Sequence, residues 1–308
     1  MKIYHHISEF KGIKNPIVTI GTFDGVHIGH QKIISRMREL AKKHDGETVL
    51  ITFYPHPRLV IHPDSKNLKF INTQERKIQL LEKAGIDHLI VIEFTKEFSK
   101  FTSKRFIEEY LVEKINTHRL IIGYDHHFGK NRLGDFNTLY DLGKKHGFDV
   151  EKIPAQDVEN IAVSSTKIRK ALNEGKIRKA NALLGYEYSI TGKVVGGKQI
   201  GRKIGFPTAN IDLEDEYKLV TANGVYACRV DYNGKRYKGM GNIGVRPTVN
   251  NSDLTIEVNI FDFDEDIYDQ EITIYFVDRL RDEIKFENLD ELSEQLAKDE
   301  KTTRELLD

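Results

Sequence analysis

Two histidines three residues apart, His27 and His30, lie in the stretch GTFDGVHIGH, residues 21–30, directly behind the apolar run IVTI. On a helix that begins near Gly25, this spacing puts both imidazoles on one face of the first turn. A helix start carries unpaired N–H groups and a partial positive charge, so it already suits phosphate. Imidazoles placed there donate to phosphoryl oxygens as charge builds during transfer, and each such donor is worth about 3 kcal/mol in the transition state. Gly21, Gly25 and Gly29 let a bulky nucleotide approach the backbone. A lone histidine would more often cap the helix or sit in solvent, and a metal site needs a third ligand that the stretch does not supply. A strand before and a helix after favour phosphate.

Further on, SSTKIR at 164–169 offers Ser165 and Thr166 at a helix start, with Arg169 one turn later as a fork of donors. Alone this reads as an N-cap; beside the histidines it reads as the second half of a triphosphate clamp. GGKQIGRKIGFPTAN, 196–210, has the G-x-x-x-x-G spacing at Gly196 and Gly201. Arg202 and Lys203 follow where a P-loop requires Lys and Ser or Thr, so that reading fails. Thr208 and Asn210, a hydroxyl and an amide after a glycine-rich loop, suit a nucleotide's phosphates together with Mg²⁺, which prefers hard oxygen ligands. In TIEVNIF, Ile256, Val258 and Ile260 alternate with Glu257, Asn259 and Phe261, so Glu257 lies opposite the aliphatic face, toward a ligand or solvent. Asp262, Asp264 and Asp266 alternate like a calcium loop, but Ile267 stands at its glycine position and Thr273 at its final glutamate.

The elements that must position these residues come in two rhythms. Through residue 155, IVTI, TVLITF, HLIVIEF, RLIIGYD and DVEKI alternate with helical patterns such as Ile33, Ile34, Met37, Leu40 and Ala41, or Phe106, Ile107, Tyr110, Leu111 and Ile115. This predicts α/β architecture, a parallel sheet covered on both faces with its chemistry just after the strands. Two short helices over 165–185 lead to a boundary near 185, giving domains 1–185 and 186–308. The second domain reads as β: YSITGKVV, GVYACRVDY, KRYKGMGNI, TIEVNIFDF and EITIYFVD predict a small antiparallel barrel, with a hairpin at Asn233-Gly234. Leu289, Leu292 and Leu296 predict a closing helix capped by Asn288 and packed on that barrel.

With 308 residues the chain is long enough for two cores. Lys+Arg and Asp+Glu both total 47, so nothing pulls it as a whole toward nucleic acid or an anionic membrane, and a small ligand held by local groups is expected. The single cysteine, Cys228, reads as a core thiol in a reducing compartment. No apolar leader or run of about 18 apolar residues is present, so a cytoplasmic protein with no membrane span is expected. No pattern sets an oligomeric state.

These motifs carry a resemblance. GTFDGVHIGH resembles the G-x-F-D-x-x-H-x-G-H signature of nucleotidyltransferases. H-I-G-H also occurs in class I aminoacyl-tRNA synthetases, but the K-M-S-K-S loop they need is absent and the balanced charge argues against tRNA. SSTKIR resembles the second nucleotide motif of bacterial FAD synthetases. GYDHHFG, 123–129, resembles their G-x-D/N-F-x-F-G segment, with Asp125 matching and His126 replacing the usual Phe; FYPHP, 53–57, resembles F-x-P-H-P, and His56 is assigned no chemistry. GFPTAN resembles the G-x-P-T-A-N motif of riboflavin kinases, and GVYA, NIGVRPT and IEVNIFDFDEDIY resemble the family's remaining segments in order, with Asn259 where His is frequent.

The chain therefore resembles bifunctional riboflavin kinase/FAD synthetases over nearly its whole length. The resemblance implies that the barrel converts riboflavin and ATP to FMN, with Glu257 as base and Gly205, Thr208 and Asn210 seating Mg·ATP. It also implies that the first domain transfers AMP from ATP to FMN, giving FAD, with Gly21, Phe23, Asp24, His27, His30, Asp125, Ser165, Thr166 and Arg169 around the nucleotide. One rival has a single working half, the other having become a flavin-binding or regulatory module.

Overall fold

A computed structural model of the chain describes residues 1–62, 68–123, 136–153, 163–197, 199–247 and 252–308. They form two compact units, Met1–Ser165 and Thr166–Asp308.

The first unit contains β1 (Lys2–Tyr4), β2 (Ile17–Ile20), β3 (Thr48–Tyr54), β4 (His88–Glu93), β5 (Arg119–Ile122) and β6 (Asp149–Lys152). All pairings are parallel, in the order β1-β4-β3-β2-β5-β6. The last five are the strands expected from the apolar runs; β1, only three residues long, has no periodicity to announce it. Ile17, Val18, Val49, Leu50 and Ile51 exclude solvent completely, which is why these runs do not alternate. The covering helices are α1 (Ile28–His44), α2 (Pro57–Ile61), α3 (Gln74–Ala84), α4 (Ser103–Phe106), continued by a π-helical stretch Ile107–Lys114, and α5 (Phe136–His146). The predicted stripe of α1 is buried throughout, as are Phe106, Ile107, Leu111 and Ile115.

From β2 the sheet grows toward β3 and β4 on one side and toward β5 and β6 on the other. At such a reversal, crossover helices leave on opposite faces and open a crevice beyond the carboxyl ends of the strands. GTFDGVHIGH leaves β2 at that point. GYDHHFG leaves β5, but Asp125 and the rest of 124–135 lie outside the described residues.

In the second unit β7 (Ser189–Val195), β8 (Ala209–Asp212), β9 (Gly224–Tyr232), β10 (Lys235–Pro247), β11 (Ser252–Ile260) and β12 (Glu271–Arg281) close into an antiparallel barrel, ordered β10-β11-β8-β7-β12-β9. Asn233 and Gly234, both at positive φ (46° and 74°), form the two-residue turn that twists β9 into β10. β8 is the strand that polar Asn210 and Asp212 hid from the sequence pattern. The expected helix pair is present as α6 (Ser165–Asn173) and α7 (Ile177–Leu184). Both are fastened to barrel residues: Leu172 O accepts from Ala222 N and Thr221 Oγ1, while Asn181 bridges Phe276 O and Tyr188 N at 2.8 Å each. This fastening is why the compact units part at Ser165 rather than near residue 185.

α8 (Ile200–Lys203) is a single turn in the glycine-rich loop, and α9 (Leu289–Leu307) is the closing helix. Asn288 Oδ1 caps α9 by accepting from Glu291 N at 2.9 Å. Its contact with the barrel differs from the leucine stripe expected of it. Leu289 is exposed, and the helix is held by buried Asp299, which takes Arg281 Nε at 2.9 Å and Nη2 at 2.7 Å, together with Thr303 and Leu307.

Candidate active sites

The first site is built on the loop between β2 and α1. Gly21 N donates to Ile51 O at 3.0 Å, continuing the sheet for one residue. The chain then turns through positive φ at Phe23 (50°), Gly25 (87°) and Val26 (35°), so no helix starts at Gly25 as expected. α1 begins at Ile28, and His27 is its N-cap: its Nδ1 accepts from His30 N at 3.4 Å. That fixes the tautomer, leaving the proton on Nε2 as the donor. The histidines still act as a pair, because their rings stack 3.7 Å apart between centroids with 15° between planes. Phe23 lies 4.6 Å from the His30 ring. A Cβ on Gly29 would press on the His27 ring and on Val163, so this glycine serves the close packing of the imidazole.

Asp24, expected at the nucleotide, spends Oδ1 on the amides of Ile71 (3.0 Å) and Asn72 (3.3 Å), pinning the loop to the segment before α3. Ser165 Oγ donates to Asp24 O at 2.9 Å, so Ser165 is joined directly to the loop. Thr166 and Arg169 follow on α6 and belong to the second unit, Thr166 exposed and Arg169 half-buried.

The electrostatics turn on a residue the sequence reading passed over. Lys77 of α3 is buried, and its Nζ donates to Thr22 O and Thr52 Oγ1, each at 3.4 Å. Burial pushes its ammonium down to about 8, with Asp24 pulling the other way. Burial, then His27, then Lys77 hold His30 well below the usual imidazole range, and its Nδ1 is sealed without a partner among the described residues. The His30 imidazole is therefore neutral, and Lys77 supplies positive charge beneath the loop. The signal was present: Lys77 precedes Leu80 and Leu81 by three and four residues, on the buried face of α3.

The second site lies on the barrel wall, where register does the assembling. Across the strands, Asn210 pairs with Glu257, Glu257 with Asn242, Asn242 with Val225 and Val225 with Arg281. Paired residues point to the same side, so these five side chains form one row, and all of them line a cavity of about 290 Å³. The alternation predicted for β11 is present: Ile256, Val258 and Ile260 are buried and Glu257 faces the cavity.

Thr208 Oγ1 lies 3.4 Å from Glu257 Oε2. Gly205, at φ 84°, lets the chain turn out of α8 toward this strand. A Cβ on Gly197 would collide with the Asn210 amide, so the glycine loop closes directly over that residue. Asn259 donates to Pro207 O at 2.6 Å, holding the GFPTAN segment against β11, which accounts for an amide at this position. Apolar lining is added by Ile284, Phe286, Leu292 and Leu296. Leu292 and Leu296, expected from the stripe to pack on the barrel, line this cavity, and no motif marks Phe286 or Arg281. The oxygens of Thr208 and Asn210 fit a hard cation that arrives with its phosphates. Among the described residues no three His, Cys, Asp or Glu side chains gather as a cage of their own.

A parallel Rossmann-like sheet with a histidine loop at its reversal, joined to a closed barrel with a carboxylate-lined cavity, defines a nucleotidyltransferase unit fused to a small barrel unit. Comparisons agree unit by unit. The FAD synthetase family model matches residues 11–167 and the riboflavin kinase family model residues 184–307. A bifunctional riboflavin kinase/FMN adenylyltransferase of Buchnera aphidicola subsp. Schizaphis graminum is 38% identical over 304 residues, covering 97% of this chain and 96% of the relative. That of Bacillus subtilis is 38% identical over 300 residues, covering 96% and 93%. Among solved structures, a macrolide-efflux protein from Streptococcus pneumoniae superposes with a TM-score of 0.88 at 30% identity, covering 98% of each chain. No helix among the described residues is long and apolar enough to cross a membrane. The chain belongs to the bifunctional riboflavin kinase/FMN adenylyltransferase family.

Proposed function

We infer that the chain makes FAD in two ATP-dependent steps on two sites, divided functionally near residue 185. In the barrel, Glu257 takes the proton of the ribityl 5′-hydroxyl of riboflavin as that oxygen bonds to the γ-phosphorus of ATP, and ADP leaves with the broken bridging bond. Thr208 and Asn210 seat the nucleotide's phosphates and would hold the accompanying Mg²⁺, which would supply charge neutralisation there when bound. Ile284, Phe286, Leu292 and Leu296 offer the flavin ring an apolar wall. The supporting observation is the row Asn210, Glu257, Asn242, with Thr208 Oγ1 3.4 Å from the Glu257 carboxylate at the edge of the cavity.

In the first unit, a phosphate oxygen of FMN bonds to the α-phosphorus of ATP and pyrophosphate departs. The FMN phosphate is already ionised, so no strong base is needed. His27 and His30 act as donors to the developing charge, with Ser165 as a further donor and Gly21, Phe23 and Asp24 shaping the loop. Cys228 is wholly buried and burial raises its thiol, so it is inert, which fits a cytoplasmic setting.

The test is to incubate the protein with riboflavin, ATP and Mg²⁺ and to chromatograph the flavins over time. FMN rises first and FAD follows. His30→Ala stops FAD formation and spares FMN formation; Glu257→Gln stops FMN formation and spares FAD formation from supplied FMN. Loss of both activities from either substitution in folded protein overturns the two-site reading.

A further inference from the structure

Lys77 is a buried ammonium that the mechanism above leaves without a task, and its surroundings are specific. It reaches from the first turns of α3 to the carboxyl ends of two neighbouring strands: Thr22 O just beyond β2 and Thr52 Oγ1 in β3, both at 3.4 Å. Thr52 Oγ1 also donates to Thr22 O at 3.5 Å, so three groups converge under the residue that follows Gly21. The titratable groups around it are Asp24 from the loop, whose carboxylate already takes two backbone amides, and His30 from α1, with His27 stacked on it. Arg76 of its own helix bonds Gln79 instead. Lys77 has no ion pair among the described residues. A charge buried without a direct counter-ion is costly, and such charges are kept where a partner arrives from outside.

We propose that Lys77 is a positioning residue for adenylyl transfer: its ammonium anchors the loop after β2 through Thr22 and supplies the buried positive charge against which the triphosphate of ATP docks. This rests on the adenylyl-transfer reading of the first unit. Because proton and polyanion favour one another at such a site, binding either strengthens binding of the other by the same factor. An amine held near 8 loses its proton within the working range, so the site's grip on ATP weakens as pH rises through that value. The phosphates of ATP have finished ionising well below it, so the nucleotide does not contribute this limb.

The experiment uses the full chain with FMN and Mg·ATP and measures kcat and KM for ATP in FAD formation from pH 6.5 to 9.5, as set by the assay buffers. The wild-type kcat/KM for ATP falls above about pH 8, through KM. Lys77→Met raises that KM about tenfold at pH 7 and abolishes the alkaline fall, while FMN formation from riboflavin by the same sample is unchanged. Lys77→Arg, which stays charged, keeps KM flat to high pH. A wild-type profile with no fall between pH 7 and 9.5 overturns the inference without any variant. So does Lys77→Met with native KM and a native alkaline limb. Absence of FAD formation by the wild type at every pH would instead remove the reading on which the inference stands.

Discussion

A buried ammonium that serves a ligand should weaken the fold that holds it, and for Lys77 the size of that effect follows from the structure. The unfolded chain keeps the lysine proton to about 10.5, whereas the folded unit releases it near 8. Between those values the unfolded state binds more protons, so stability rises with pH; below 8 both states are protonated and the full cost applies, about 3 kcal/mol. Methionine has similar reach and no charge. Lys77→Met removes that cost and forfeits two long hydrogen bonds worth together about 1 kcal/mol. The first unit should therefore gain about 2 kcal/mol at pH 7, and lose about 1 kcal/mol above pH ~10.5, where no charge is left to relieve. Pulse proteolysis in urea, with peptides of residues 1–165 quantified by mass spectrometry, reads this unit apart from the barrel. A variant less stable than wild type at pH 7, or one whose difference from wild type ignores pH, would refute the reasoning.

Two further outcomes test the barrel. Gly197→Ala forces a Cβ into the Asn210 amide, so the KM for ATP in FMN formation should rise several-fold while FAD formation from FMN is untouched; an unaltered KM would mean that the loop does not seat the nucleotide. Arg281→Met leaves buried Asp299 without its cation, which should destabilise the seating of α9 by about 3–5 kcal/mol, seen as faster amide exchange in 289–307, and native exchange there would deny the ion pair its role.

Much of this was legible in the residues because it rests on pattern. The five core strands of the sheet were apolar runs, the stripe of α1 was regular, and Asn233-Gly234 and Asn288 carried their own turn and cap chemistry. What stayed hidden depended on tertiary placement. β8 is polar on one face, since Asn210 faces a cavity. The start of α1 was displaced by three residues because Phe23, Gly25 and Val26 turn left-handed, a conformation that only the pinned Asp24 carboxylate makes intelligible. Lys77 looked like any lysine on an amphipathic helix until its face proved to be the buried one. The row Asn210, Glu257, Asn242, Val225, Arg281 draws one residue from each of five strands and comes together only through register, which no local window contains.

The two margins of the parallel sheet bear on how the protein behaves in a crowded solution. Among the described residues the outer strands are β1, three residues long, and β6, four residues whose Asp149 and Glu151 are tied to Arg119, with Glu151 also held by Arg36 at 2.7 Å. Brief, charge-studded rims give a neighbouring molecule little backbone to zip onto, and a barrel closed on itself exposes no rim at all. Concentrated stocks should accordingly resist fibre formation for as long as the chain stays folded, and clumping should begin only once local melting bares β3 and β4.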